Sequence, residues 1–240
     1  MKNKTQKTSL MLATLTGAGL LACSTQAVKA DVIFTEPFSL NASGWQGNNS
    51  SPGNPATWAT IGGVTGDGDG YITAAAVTTS SGAVVLRAQT NLGASPGLFG
   101  NWTSTGTSPL SVYTLSFDLY QDSGTTQNFG LRFATAAGFP GAFLGDGISL
   151  ASGAWTHFDI AVDSSAGFTF PEGGGSYSSI FSSLARVQFT VAGTPASAFN
   201  VRLDNVTIST APAPEPSTFA IAGMGLTLVG ILARRMKRNA

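Results

Sequence analysis

Residues 112–120 read Val112-Tyr113-Thr114-Leu115-Ser116-Phe117-Asp118-Leu119-Tyr120, with Leu115, Phe117 and Leu119 on one side of a strict alternation. A period of two with one apolar side marks a strand that packs one face on a core and turns the other to water. Working outward, the same period recurs at Phe129, Leu131 and Phe133, at Phe158, Ile160 and Val162, and at Val187, Phe189 and Val191. Further strands are expected at 32–38, 56–61, 71–77, 83–88 and 199–209, separated by clusters of Gly, Ser, Thr, Asn and Pro that supply turns. Ile180, Phe181 and Leu184 sit at helical spacing and predict one short helix over 178–184. Many short strands without a helical repeat predict an all-β fold, a two-sheet jelly-roll-like β-sandwich over residues 31–209.

The two ends of the chain read differently. Lys2, Lys4 and Lys7 precede an apolar stretch over 10–22, and Val28-Lys29-Ala30 forms a small-x-small site before Asp31. This is the pattern of a secretory signal peptide over 1–30, with signal peptidase cutting between Ala30 and Asp31. Leu20-Leu21-Ala22-Cys23 also resembles a bacterial lipobox, which would instead make an acylated Cys23 the first residue. At the other end, the Pro/Ala-rich stretch 210–216 reads as a stiff, extended linker. It leads through Pro214, Glu215 and Pro216 into an uncharged apolar segment from Ser217 to Ala233. As a helix that segment is about 26 Å long, at the short end for a hydrocarbon core of about 30 Å. Arg234, Arg235, Lys237 and Arg238 follow it over 234–240 and are expected to stay on the cytoplasmic side.

Pro214, Glu215, Pro216 and Ser217, the span to Ala233 and the basic cluster opening on Arg234 and Arg235 together resemble the PEP-CTERM sorting signal of Gram-negative bacteria. The same tail has been labelled an ice-binding protein C-terminal domain, a label that is no evidence of ice binding. The resemblance implies recognition and cleavage by an exosortase-type membrane protease. It also implies passage from an inner-membrane intermediate to the cell envelope, the outer surface or the medium. Many proteins of that family accompany exopolysaccharide production.

Composition narrows the partners. Between Asp31 and Glu215 stand twelve acidic residues against four arginines, Arg87, Arg132, Arg186 and Arg202, a net charge of −8 without one lysine. Such a surface excludes nucleic acid, whose phosphates need clustered Lys and Arg. The only cysteine, Cys23, lies in the signal peptide, so the exported chain has neither disulfide nor thiol chemistry. It holds together by its core, with a bound metal ion as the remaining staple to consider.

The body more loosely resembles the jelly rolls of carbohydrate-binding modules and galactose-binding-like domains. The residues that carry this are Phe34-Thr35-Glu36-Pro37-Phe38 with Gly44-Trp45 at the start, and Phe199-Asn200-Val201-Arg202-Leu203-Asp204-Asn205-Val206 at the end. In such sandwiches a closing-strand acid and a first-strand acid often hold a structural Ca2+, which points to Asp204 and Glu36. The alternative is that Asp204 and Asn205 bond to backbone at a strand end. Gly66-Asp67-Gly68-Asp69-Gly70 looks like part of a calcium loop, but the acids an EF-hand requires at its first and twelfth positions fall on Thr65 and Ala76. A Gly/Asp turn into the next strand is the reading preferred there.

Sugar binding uses flat aromatic faces with neighbouring amides or carboxylates. Trp102, beside Asn101 in a Gly/Ser/Thr-rich stretch, is the best such platform, whereas Trp155 opens an alternating strand and reads as core. His157, the only histidine, is expected on an exposed strand face, and no Gly-x-Ser-x-Gly elbow accompanies it. No Glu-x-Asp-x-x-Glu cluster of the common sandwich glycosidases is present. The reading is an exported, non-enzymatic sandwich that is structural or associates with extracellular polysaccharide. The rival class is a polysaccharide hydrolase of sandwich fold. Carboxylates meeting in one cleft would favour that hydrolase; an aromatic strip would favour binding.

Overall fold

The stretch that alternates most strictly becomes strand β6, Tyr113–Gln121, and Leu115, Phe117 and Leu119 are fully buried. This computed structural model describes residues 31–47, 55–66, 68–76, 83–103, 113–162, 167–172 and 174–210. Signal peptide, PEP motif, apolar span and basic tail lie outside the described residues, as does Asp67. Among the described residues no helix is long and apolar enough to cross a membrane.

Two antiparallel sheets form the sandwich. The first contains β1 (Val32–Glu36), β3 (Thr57–Ala59), β4 (Tyr71–Ala76), β6, β9 (Thr156–Val162) and β12 (Phe199–Thr210). Its order is β3-β4-β12-β6-β9, with β1 also paired to β12. The second runs β10-β8-β7-β11-β5-β2. Its strands are β2 (Gln46–Gly47), β5 (Ala83–Gln89), β7 (Gln127–Ala134), β8 (Gly141–Leu150), β10 (Thr169–Glu172) and β11 (Arg186–Val191). The alternating segments therefore all form strands, within a residue or two of the expected limits. Strands β2, β8 and β10 were not expected: three glycines break any period in Gly141–Leu150, and Gln46–Gly47 and Thr169–Glu172 are too short to show one.

Strand β12 organises the first sheet. Its first half pairs with β4, Phe199 opposite Ala76 through Leu203 opposite Ile72, and its second half pairs with β1. Between the halves the register against β6 shifts, and Asn205 takes φ +50°. This bulge inverts the alternation: Val201 and Leu203 point into the core before it, Val206 and Ile208 after it. A bulge of this kind re-aims side chains where a strand changes partner.

Aromatic side chains join the sheets. Phe117 of β6 meets Phe189 of β11 edge-on, with ring centroids 4.9 Å apart, a contact worth about 1 kcal/mol beyond its buried area. Trp45, fully buried, packs on Phe38 and Phe189 at 6.0 and 6.1 Å. The one α-helix among the described residues, α1 (Tyr177–Phe181), is shorter than expected and closes one end of the core with Ile180 and Phe181. A capping box starts it: Ser179 N–H donates to Ser176 Oγ, and Ser176 N–H donates to Ser179 Oγ at 2.8 Å.

Candidate functional site: the outer face of the second sheet

On β7 and β11, Leu131, Phe133, Val187 and Phe189 point into the core. Their neighbours Arg132, Ala134, Arg186 and Gln188 must then share the opposite face, because strand side chains alternate. Register sets them in rows. One row crosses the sheet as Gln46, Arg87, Gln188, Arg132, Phe143 and Thr169, each opposite the next. A second runs Gln89, Arg186, Ala134, Gly141 and Glu172. A third places Thr190 between Val84 and Gly130.

These rows line a cleft of about 360 Å3 bounded by Val84, Arg132, Phe139, Phe143, Glu172, Arg186, Gln188 and Thr190. Arg132 is fixed at its centre. Its Nε donates to Glu172 Oε2 at 2.9 Å and its Nη1 to Gln188 Oε1 at 2.5 Å, while Nη2 also donates to Glu172. Nη2 further donates to the carbonyl of Gly138, and the guanidinium lies 5.7 Å from the ring of Phe139. Phe139 is 62% exposed. The turn beneath it is tied by Gly138 N–H to Thr135 O and by Thr135 Oγ1 to Phe139 O.

Glycine makes the floor. A Cβ at Gly141 would run into the Glu172 carboxylate and lie 3.0 Å from Arg132 Nη2, and one at Gly130 would lie 2.7 Å from the Phe143 ring. Glycine inside a strand marks such close approaches. Arg87 and Arg186 complete the face without partners for their buried Nε atoms. Burial lowers the pKa of both, and the charges of Arg132 and Arg87 add to the effect at Arg186 while Glu172 opposes it.

The residues singled out from sequence lie elsewhere. Trp102 is buried, its ring against Tyr113, Phe133 and Phe181 at 5.7, 5.9 and 6.3 Å, so its faces belong to the core rather than to a ligand. Backbone bonds draw it in: Gly100 and Leu184 exchange N–H to O bonds, and Trp102 N–H donates to Phe181 O at 2.7 Å. Asn101 is exposed, but its Oδ1 accepts from Thr103 N–H and Oγ1, a local turn. Trp155, expected in the core, is half-buried instead, against Tyr71 and Tyr120. Arg202 stacks over the same two tyrosines at 5.1 and 4.3 Å.

Glu36 and Asp204 hold separate partners. Glu36 accepts from Phe38 N–H and Ser95 Oγ. Asp204, fully buried, accepts from Val64 N–H at 3.1 Å and Asn205 N–H at 2.7 Å. Its acidic neighbours are Asp118, opposite it on β6, and Asp69, across Gly63. A Cβ at Gly63 would lie 2.7 Å from Asp204 Oδ2 and 2.9 Å from Asp69 Oδ2, so glycine alone lets the loop pass between the carboxylates. Burial, partly offset by the two N–H donors and reinforced by Asp69 and Asp118, pushes Asp204 up to about 6. Asp118 in turn meets His157 Nδ1 at 2.9 Å and Asn205 Nδ2 at 3.0 Å. His157 is exposed; burial lowers its pKa, but Asp118 and Asp159 outweigh that and raise it. Among the described residues no three His, Cys, Asp or Glu side chains gather as a metal site.

Sequence reasoning did not find Arg132, Arg186, Gln188, Phe139 or Phe143. Two signals were present. Three of the body's four arginines stand on these strands, and Gly130 sits on the polar face of the alternation Phe129, Leu131, Phe133.

Comparison with known proteins adds two findings. Residues 212–238 match the PEP-CTERM protein-sorting motif. No curated protein matches the chain. Among solved structures, the solution structure of CtCBM11 is 16% identical, covers 79% of this chain and 99% of its own, and has a TM-score of 0.51. An exo-beta-agarase is 14% identical over 77% of this chain, with a TM-score of 0.50. The CBM22-1 and GH10 modules of Clostridium thermocellum endo-1,4-beta-D-xylanase 10B are 12% identical over 74% of this chain, with a TM-score of 0.42. This chain spans only 25% and 28% of those last two proteins. At such identity the likeness concerns the fold. The chain thus carries a PEP-CTERM protein-sorting motif at residues 212–238 and, ahead of it, a two-sheet sandwich similar in fold to the carbohydrate-binding module CtCBM11.

Proposed function

We propose that this is an exported envelope protein, delivered through its PEP-CTERM signal, whose sandwich associates with carbohydrate through the cleft on the second sheet without cleaving it. The sorting half rests on the motif match and the tail that follows it. In this reading signal peptidase cuts before Asp31, the segment from Ser217 to Ala233 crosses the inner membrane, and an exosortase removes the tail carrying Arg234 and Arg235.

The binding half rests on one observation. An exposed ring, Phe139, stands beside a guanidinium, an amide and a carboxylate whose positions are locked by mutual hydrogen bonds. A pyranose offers an apolar face to a ring and hydroxyls to planar donors and acceptors, and groups held in place lose little entropy on binding. The same geometry supports binding over hydrolysis. Glycoside hydrolysis uses two carboxylates about 5 to 10 Å apart, whereas among the described residues the lining of this cleft includes one, Glu172, held by Arg132.

Affinity electrophoresis of the full chain through gels cast with soluble polysaccharides tests the reading. At least one polysaccharide is expected to retard the protein. Phe139→Ala is expected to weaken retardation by about tenfold or more, the order of one lost aromatic stacking contact. A Phe139→Ala protein retarded as strongly as the wild type would overturn the assignment.

A further inference from the structure

We propose that the cleft selects glycans bearing anionic groups, carboxylate or sulfate on the sugar, an inference that rests on reading the cleft as a glycan site.

Charge is distributed unevenly. The region from Asp31 to Glu215 carries twelve acids and four arginines. Arg87, Arg132 and Arg186 nevertheless converge on one sheet face, while Arg202 is stacked between two tyrosines on the other sheet. Glu172, the one carboxylate lining the cleft among the described residues, is already committed to Arg132. Arg87 and Arg186 take part in no ion pair among the described residues, and the buried Nε of each lacks a hydrogen-bond partner. Arg87 is only 9% exposed.

Gathering three cations around Glu172, with two of them partly desolvated, costs stability. Neutral hydroxyls would accept hydrogen bonds from the free guanidiniums but leave their charge uncompensated. A carboxylate or sulfate does both, because two of its oxygens match the guanidinium fork. Arg186 lines the cleft and offers its fork to such a group. Arg87 stands beside Gln188 in the adjacent row and adds to the positive potential. On a body that otherwise repels polyanions, this face is where one would be focused. Phe139 and Phe143 meanwhile supply apolar surface for the sugar ring.

The test titrates the full chain, held in a polyoxyethylene detergent that contains no sugar, with three oligosaccharides of equal length. One is an oligogalacturonate, one a sulfated galactan fragment and one a neutral β-glucan fragment. At least one anionic oligosaccharide is expected to bind about tenfold or more tighter than the neutral one. That binding should weaken by about tenfold between about 50 mM and about 500 mM salt, as the Debye length shortens. Which of the two binds tells carboxylate from sulfate. Arg186→Gln is expected to weaken the anionic binding by about tenfold or more, in line with loss of a charge-assisted hydrogen bond, and Arg202→Gln to leave it unchanged. If Arg186→Gln does not fold, Arg87→Gln and the salt dependence decide. Neutral binding as tight as anionic, abolished by Phe139→Ala, would overturn the selectivity and leave the glycan site standing. Anionic binding that survives Arg186→Gln or Arg87→Gln would place the anion elsewhere and overturn this inference alone. Absence of binding by all three overturns both readings.

Discussion

Both carboxylate oxygens of Asp204 accept backbone N–H groups, yet the residue is fully buried and faces two further acids, Asp69 and Asp118. Desolvation and like charge outweigh the donors, so its folded pKa stands at about 6. The sign of the consequence follows. Between about pH 4, the ordinary aspartate range, and about 6, the folded protein keeps a proton that the unfolded chain has released. Stability contributed by this residue is therefore greatest at low pH and is lost as pH rises through that window. His157, which pairs with Asp118, has its pKa raised by Asp118 and Asp159 against the lowering effect of burial. The stability of the wild type minus that of Asp204→Asn, from urea unfolding at pH 4 to 7, should fall with pH by on the order of 2 kcal/mol. A difference that is flat with pH would show that Asp204 titrates normally. Sequence alone marked Asp204 as an acid worth attention and weighed backbone bonding as one of its roles, and the structure shows that bonding. The pairing with Glu36 came from the resemblance to carbohydrate-binding sandwiches, and chain position says nothing of the bulge at Asn205 or of the loop around Gly63.

At the scale of elements, β8 shows how a strand can be shaped by its neighbours' side chains. Gly141 gives no periodic signal, yet its missing side chain is the space where Arg132 and Glu172 meet. Gly141→Ala is expected to separate that pair. Its backbone is not in the left-handed region, so the fold should tolerate the change, with a melting temperature within roughly 4–8 °C of the wild type, the shift of about 1 kcal/mol in a small domain. Affinity for whichever polysaccharide retards the wild type should meanwhile fall by about tenfold or more. Equal losses in the two measurements would mean that the ion pair only supports the strand. The Trp102 segment teaches the converse. Its small polar flanks read as a surface loop, and the decisive contacts are with Gly100–Leu184 pairing and Phe181, more than 75 residues further along the chain. Alternation predicts which strands exist; it does not predict which loop turns a ring inward.

For the whole molecule, the motif at 212–238 and the sandwich before it are separable parts with separable tests. In a host that has exosortase, the exported protein should begin at Asp31 and end near Pro214 to Ser217. Intact-mass spectrometry of protein recovered from that host checks both ends at once. A mass that includes Arg234 and Arg235, or a lipid on Cys23, would refute the proposed processing. The net charge of −8 between Asp31 and Glu215 also belongs to this scale, since it describes the average surface and conceals the one face where arginines gather.

What the sequence by itself determined was what depends on neighbours along the chain. Period-two alternation decided the class of fold, since it places apolar side chains on one face whatever the partner strand. The motif and charge order at the C-terminus are likewise linear signals. What only the tertiary structure decided was which strands lie side by side. Arg87, Arg132 and Arg186 are far apart in sequence and become one surface because β5, β11 and β7 are adjacent in that order. The cleft is a product of register between strands, and register is set by long-range packing of two buried faces against each other.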